Sequence, residues 1–458
     1  MKINNTTETI KIVNDIHVTI PSSLQLMTPY VLHEQGDWFE DEIKFLRAFI
    51  KPGMEVVDIG ANYGLYTLTI AKLVGEEGKV SAFEPTGATA ACLRHSIVNN
   101  KFNNIDLIQA GLSDGIREAD FFTSPNSELN SLSNVSASGA QHETVSLLTL
   151  DHCAKEYQWG DVDFIKLDAE GEESNILKSG KSFLSSSSPL VMFELKHGSE
   201  VNLSLINDFE RLGYESYRLI PGLDVLVPFS PAEPVDGYLL NLFCCKKDKA
   251  ALLEAEQVIV RGAEPLDCLP DLNVVREYFL RLPCGESINN LNFESSVSKD
   301  YEKILTAYAL AHSESSDASE KVGYLLTALN CLRQMLKSDE NRIEHLATYA
   351  RIAFDAGERA LGVQILTGLI NKYINNMNFE VSEPVLPVAS RYGSICPSGR
   401  IKEWLFSSVI EQYTSKHAYS TYFTRRATLP LLGKLRGLGF MSDAMKKTEQ
   451  MIQKSFPS

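Results

Sequence analysis

Residues 56 to 64 read VVDIGANYG, an apolar run that ends on Asp58 and then breaks into two glycines separated by three residues, Gly60 and Gly64. A strand that stops at a bare-backbone turn, with a helical stretch starting directly behind it, is the opening unit of a parallel sheet covered by helices on both faces. The next 180 residues keep that alternation. KVSAFEP precedes ATAACLRHSIVNN, IDLIQAGLSD follows, VDFIKLD precedes EESNILKSGKSFL, and PLVMFEL precedes a helix near VNLSLINDFERLG. ESYRLI and GYLLNLFCCKK read as closing strands, so the pattern predicts a doubly wound α/β domain over 51–247. Before it, over 1–50, TIKIVNDIHVTI predicts a strand or hairpin. WFEDEIKFLRAFI then predicts a helix with Phe39, Ile43, Leu46 and Ile50 on one face, ended by Pro52 and Gly53.

One connection is too long for this scheme. Between IQAGLSD and VDFIKLD, the segments EADFFTS and ETVSLLTLD read as a strand pair flanking the polar loop PNSELNSLSNVSASGA, which either hangs over a substrate or makes a surface excursion. Past residue 250 the strand signal stops. Residues 248–299 read as a linker and 300–458 as an all-α domain. Leu325, Leu329, Leu332 and Leu336 share one face, as do Leu346, Tyr349, Ala350, Ala353 and Phe354, and then Leu361, Ile365, Leu369 and Tyr373. The turn at AGERA resembles one tetratricopeptide helix pair, and a plain helical bundle fits equally well.

A net charge of −16 sets the whole chain against nucleic acid or an anionic membrane as its main partner. The first residues, MKINNTTETIKIV, lack the pattern of a secretory signal, and no apolar run is long enough to span a bilayer, so the expected location is the cytoplasm. The eight cysteines form no C-x-x-C pair and are expected to be reduced, mostly buried thiols.

What sits against the glycine turn follows from its spacing. A pyrophosphate site needs G-x-G-x-x-G, but Asn62 and Leu65 stand where the second and third glycines belong. S-adenosylmethionine has no phosphate. It needs space for a methionine group, an acid near its amine and a carboxylate for its ribose. Asp58, the turn residues Gly60, Ala61, Asn62, Tyr63 and Gly64, and Glu84 with Pro85 at the end of the second strand meet those needs. Asp114, just past the third strand, is placed to accept from an adenine amino group.

These motifs taken together, HEQGDWFEDEI, VDIGANYGLYTL, AFEPT, DFIKLDAEGEE and VMFELKH, resemble the FkbM family of S-adenosylmethionine-dependent methyltransferases over roughly residues 30–245. The resemblance implies a class I methyltransferase (Rossmann-like) fold and O-methylation of a hydroxyl on a saccharide, glycolipid or natural product. It does not reach the helical half, which is expected to bind a protein partner or a second copy.

Methyl transfer to a hydroxyl requires a group that takes the proton. Asp168 and Glu170 end a central strand at the edge where open α/β sheets place their sites, and Glu194 and His197 end the next. Asp168 is the first candidate for base, with Glu170 and Glu194 orienting the acceptor and His197 as a further candidate. A divalent metal held by these acids is a possible but less favoured arrangement. Glu170 can also be read as a helix cap. Two other readings stay open: a protein methyltransferase, and a non-catalytic cofactor-binding scaffold acting through the helical domain.

Overall fold

The computed structural model describes residues 6–123, 141–197, 200–201, 203–232, 234–289, 297–336 and 342–456. The polar loop expected over 125–140 lies outside them. Eight strands form the central sheet: β1 (Glu55–Ile59), β2 (Lys79–Phe83), β3 (Ile105–Ile108), β4 (Phe164–Leu167), β5 (Leu190–Glu194), β6 (Tyr214–Ile220), β7 (Val225–Pro228) and β8 (Asn241–Lys246). Their order is β7-β6-β8-β5-β4-β1-β2-β3. From β5 to β3 all neighbours are parallel, and β8 runs antiparallel between β5 and β6. This is a doubly wound order that reverses between β1 and β4, with one edge strand beyond the seven expected. That strand, β7, escapes a pattern reading because its four residues run straight into Pro228.

Alternation along the strands assigns each residue to a face. Val57, Ile59, Ile165, Leu167, Val191, Phe193, Leu242 and Cys244 join one core, closed by helices such as Glu173–Ser179 and Ser204–Arg211. Val56, Phe164, Leu190, Met192, Phe243 and Cys245 join the other, closed by helices Asp41–Phe49, Leu65–Val74 and Lys247–Ala255. Strands buried on both faces read as continuous apolar runs, which is how VVDI, FIKL and LVMF look. The two buried charges inside those runs, Asp58 and Lys166, are therefore conspicuous.

The N-terminal segment forms a hairpin, Thr7–Ile12 with Ile16–Pro21. It packs Ile12, Ile16, Val18 and Ile20 against Leu93 of the helix Gly87–Asn100 and against Ala61 and Tyr63 of the glycine turn. In the long connection, Arg117–Thr123 pairs antiparallel with Gln141–Leu148.

The chain divides into two compact units, 1–219 with 226–235 and 239–259, and 220–225 with 236–238 and 260–458. The stretch read as a linker, 248–299, holds the helices Lys247–Ala255, Leu272–Leu280 and Gly285–Asn289. Within the second unit, Lys299–Ala311 packs on Ala318–Met335, and Ile343–Asp355 on Arg359–Tyr373, with Tyr301, Tyr308 and Trp404 fully buried. Its short N-terminal segments are tied in by specific contacts. The Gly222 amide donates to the Asp355 carbonyl (2.8 Å), Asp236 accepts from the Ala360 amide (2.8 Å), and the Arg359 guanidinium lies 4.9 and 4.4 Å from the rings of Tyr238 and Tyr419. A chain cut after Lys247 strips these segments of their partners. It is expected to unfold several degrees below the full chain in a thermal melt, and an unchanged melting temperature of its α/β half would show that the segments need no support.

Candidate functional site

Register assembles the site. Ile59 pairs with Phe83 on one side and with Leu167 on the other, Leu167 pairs with Phe193, and Glu194 pairs with Asn241. The residues one step beyond those pairs therefore form a row along the carboxyl edge of the sheet: Glu84, Gly60, Asp168, Glu194 and Asn241. The row crosses the place where strand order reverses, between β1 and β4, where open sheets part to admit a ligand.

A cleft opens there. Of the residues expected at the site, Gly60, Asn62, Glu84, Pro85, Asp168 and Glu170 line it. Phe83, Leu112, Phe121 and Leu147 give it an apolar end, and Glu172 adds an acid that no motif flagged. Glu172 accepts from Ser113 Oγ (2.6 Å) and Asn175 Nδ2 (3.0 Å).

Glu84 is 6% exposed and organises both turns around it. One carboxylate oxygen accepts from the Asn62 amide (3.0 Å), the other from the Thr86 amide (2.9 Å) and hydroxyl (2.5 Å). Burial pushes its proton affinity up against those bonds. Gly60 has a φ of +83°, and a Cβ built on it would lie 1.8 Å from the Asp168 carbonyl oxygen. Its bare backbone is thus required first by the close approach of the β4 end. Ala61 and Tyr63 point into the hairpin core, and Gly64 starts the next helix from a left-handed conformation.

Asp58 is fully buried behind the turn and is not among the residues lining the cleft. One of its oxygens accepts from Thr67 Oγ1 at 2.5 Å, and the other has no hydrogen-bond partner. Asp114 does not line the cleft either. It pairs with Arg117 at 2.7 Å on the surface, and that pairing holds its carboxyl below the usual range. The sequence order that put it just past a strand carries no information on which way the side chain turns.

Asp168 lies on the cleft wall, its side chain 35% exposed, and pairs with Lys166 Nζ at 2.7 Å. Glu170 has a φ of +50°, a costly conformation for a glutamate that marks the loop as held by its surroundings. The holding group is Glu173, whose carboxylate accepts from the amides of Ala169 (2.8 Å) and Gly171 (3.1 Å). The helix N-cap position falls to Glu172, not Glu170, and it makes no side-chain cap bond. His197 belongs to the short strand Lys196–His197, and its side chain lies outside the described residues.

Behind the row is a second group that the sequence reading missed, Lys166, Glu40 and Tyr66, reached by Asn241 of the row. Tyr66 donates to Glu40, and Asn241 Nδ2 donates to the same oxygen at 3.2 Å. Glu194, next to them, is pushed up to about 10 by burial and by the nearby charges of Asp168, Glu170, Glu173 and Glu40. Such a group is protonated in the folded protein and ionised when unfolded across neutral pH. It stabilises the fold fully below about pH 4, and that contribution is lost as pH rises toward 10, at up to about 1.4 kcal/mol per unit. Glu194→Gln is expected to flatten the fall in stability between pH 5 and 9. Urea unfolding at the two ends of that range checks it, and an unchanged slope would mean that Glu194 ionises freely. Among the described residues, no group of three or more His, Cys, Asp or Glu is arranged to hold a metal ion.

Residues 58–216 match the model of the methyltransferase FkbM domain. Over that stretch the α/β unit is similar to FkbM methyltransferase domains. The chain is similar in structure to a methyltransferase FkbM from Methylobacillus flagellatus KT, at 18% identity over 42% of this chain and 43% of that one (TM-score 0.30). It is similar to a SAM-dependent methyltransferase from Aquifex aeolicus, at 17% identity over 47% and 93% (TM-score 0.27). A SAM-dependent O-methyltransferase from Thermotoga maritima is similar at 13% identity over 52% and 77% (TM-score 0.26). No curated protein sequence matches the chain.

Proposed function

We propose that the FkbM domain methylates a hydroxyl of a saccharide, glycolipid or natural-product acceptor, with Asp168 taking the hydroxyl proton. The observation that carries this reading is the position of Asp168, a partly exposed carboxylate on the cleft wall, in the same row as Glu84 and separated from it by the Gly60 turn.

The residues of the cleft suit the cofactor. Glu84 offers carboxylate oxygens to the ribose hydroxyls, and the end walled by Phe83, Leu112, Phe121 and Leu147 suits a flat adenine. S-adenosylmethionine supplies a sulfonium methyl, transferred as the S–C bond breaks and an O–C bond forms. Asp168 accepts the proton released from that oxygen, and the Lys166 ammonium offsets its charge beforehand. Fixing acceptor and donor in line supplies the rest, an effect of about 7 to 11 kcal/mol in well-oriented systems. In this reading the helical unit recruits the acceptor or pairs subunits, and the protein works in the cytoplasm.

Glu84→Ala is expected to weaken binding of S-adenosylhomocysteine by about 1 to 3 kcal/mol, since it removes ligand contacts and the bonds that set both turns. Isothermal titration gives the value, and an unchanged affinity would take Glu84 out of the site. The acceptor itself is tested by incubating the protein with methyl-labelled S-adenosylmethionine and fractionated extract of its source cells. Label in the saccharide, lipid or small-molecule fraction supports the reading, and label confined to protein would replace it with a protein methyltransferase.

A further inference from the structure

Lys166 is a charge in the middle of the apolar strand FIKL, 5% exposed, with its side chain in the core on the face shared by Asp58, Glu194 and Asn241. Its Nζ lies 2.7 Å from Asp168 Oδ2, 4.0 Å from Asp58 Oδ1 and 5.2 Å from the centre of the Tyr66 ring. Asp58 Oδ1 is the buried oxygen without a hydrogen-bond partner. A buried ion costs several kcal/mol of desolvation, and an apolar side chain of similar size often serves stability as well or better. Stability alone therefore does not account for a lysine here.

We propose that Lys166 is the positioning residue of the methyl-transfer site. Its ammonium holds Asp168 in place on the cleft wall and balances Asp58 behind the Gly60 turn, so that one cation aligns the proton acceptor with the turn that borders the cofactor. This rests on the reading of Asp168 as base. The groups facing the ammonium come from every element around it: Asp58 from β1, Asp168 from the end of β4, Tyr66 from the helix Leu65–Val74, Glu40 from the segment before the helix Asp41–Phe49, and Glu194 from β5 nearby. Burial works against the charged amine, but Asp168, Asp58 and Glu40 outweigh it and leave its proton more tightly held than usual. Lys166 stays charged through the working pH range, so it acts on the acids and does not itself exchange protons.

The full-length protein serves for the test, with label transferred from S-adenosylmethionine into whichever extract fraction the wild type labels. In Lys166→Met the maximal rate is expected to fall about 100-fold. The Kd for S-adenosylhomocysteine, read by titration calorimetry, should stay within about threefold, since Lys166 does not line the cleft. Lys166→Arg should restore part of the rate. If the methionine variant fails to fold, Asp58→Asn combined with Lys166→Met removes the orphaned acid, and the same loss of rate at an unchanged Kd is expected. A well-folded Lys166→Met with wild-type rate, or one whose rate Lys166→Arg does not recover at all, would overturn the inference and leave Lys166 a structural ion. Asp168→Asn separates the two proposals: full activity there defeats the base assignment, while an inactive Asp168→Asn beside an unaffected Lys166→Met defeats only the role of Lys166.

Discussion

In Asp168→Asn, methyl transfer is expected to fall by about 10² to 10⁴-fold while the affinity for S-adenosylmethionine changes little. The amide keeps the size of the carboxylate and one acceptor oxygen, so the cleft keeps its shape. What it loses is the ability to take a proton from the acceptor. It also leaves the Lys166 ammonium with Asp58 at 4.0 Å and Glu40 as its remaining acids, so part of the loss will come from local rearrangement. Rates at saturating cofactor, measured beside calorimetric affinities, separate these effects. Loss of cofactor binding in this variant would place Asp168 at the methionine end of the cofactor and move the base to Glu170, Glu194 or His197.

Gly60→Val is expected to damage the domain more than the site. The turn holds this residue at φ +83°, where a β-branched side chain is strained, and the new Cβ would meet backbone 1.8 Å away, at the Asp168 carbonyl oxygen, with the carbonyl carbon at 2.9 Å. Backbone atoms of a buried strand end cannot step aside as a flexible side chain does. The expected cost is above about 4 kcal/mol, the range of severe substitutions, and Gly60→Ala shares most of it. Urea unfolding measures it. A variant of near wild-type stability that merely fails to bind cofactor would show that the glycine is there for the ligand and that the β4 end yields.

That contrast shows where the sequence could be read and where it could not. The glycine turn, the strand–helix alternation and the row of acids at strand ends were legible because each follows from local periodicity and from the rule that sites lie at the carboxyl edge of a parallel sheet. Why Gly60 must be glycine was not, because its close neighbour lies 108 positions downstream. Asp58 and Asp114 sit where acids of the cofactor site belong in sequence, yet one turns into a buried pair and the other to Arg117. Side-chain direction at a strand end depends on partners that spacing does not encode. Glu172 and Glu173 are adjacent in DAEGEE, and only the structure gives one to the cleft and the other to the loop amides. Lys166 could have been found: a lysine inside FIKL, in a strand buried on both faces, demands a partner acid, and the nearest candidates are at strand ends. Glu40 and Tyr66 gave no such signal, because they reach the site from helices packed on the sheet.

The most direct test of the account is a crystal structure of the full chain with S-adenosylhomocysteine. The account predicts the ribose hydroxyls on Glu84, the adenine among Phe83, Leu112, Phe121 and Leu147, and the sulfur end facing Asp168. A cofactor seated with its ribose away from Glu84, or outside the cleft bordered by Gly60 and Asn62, would contradict it.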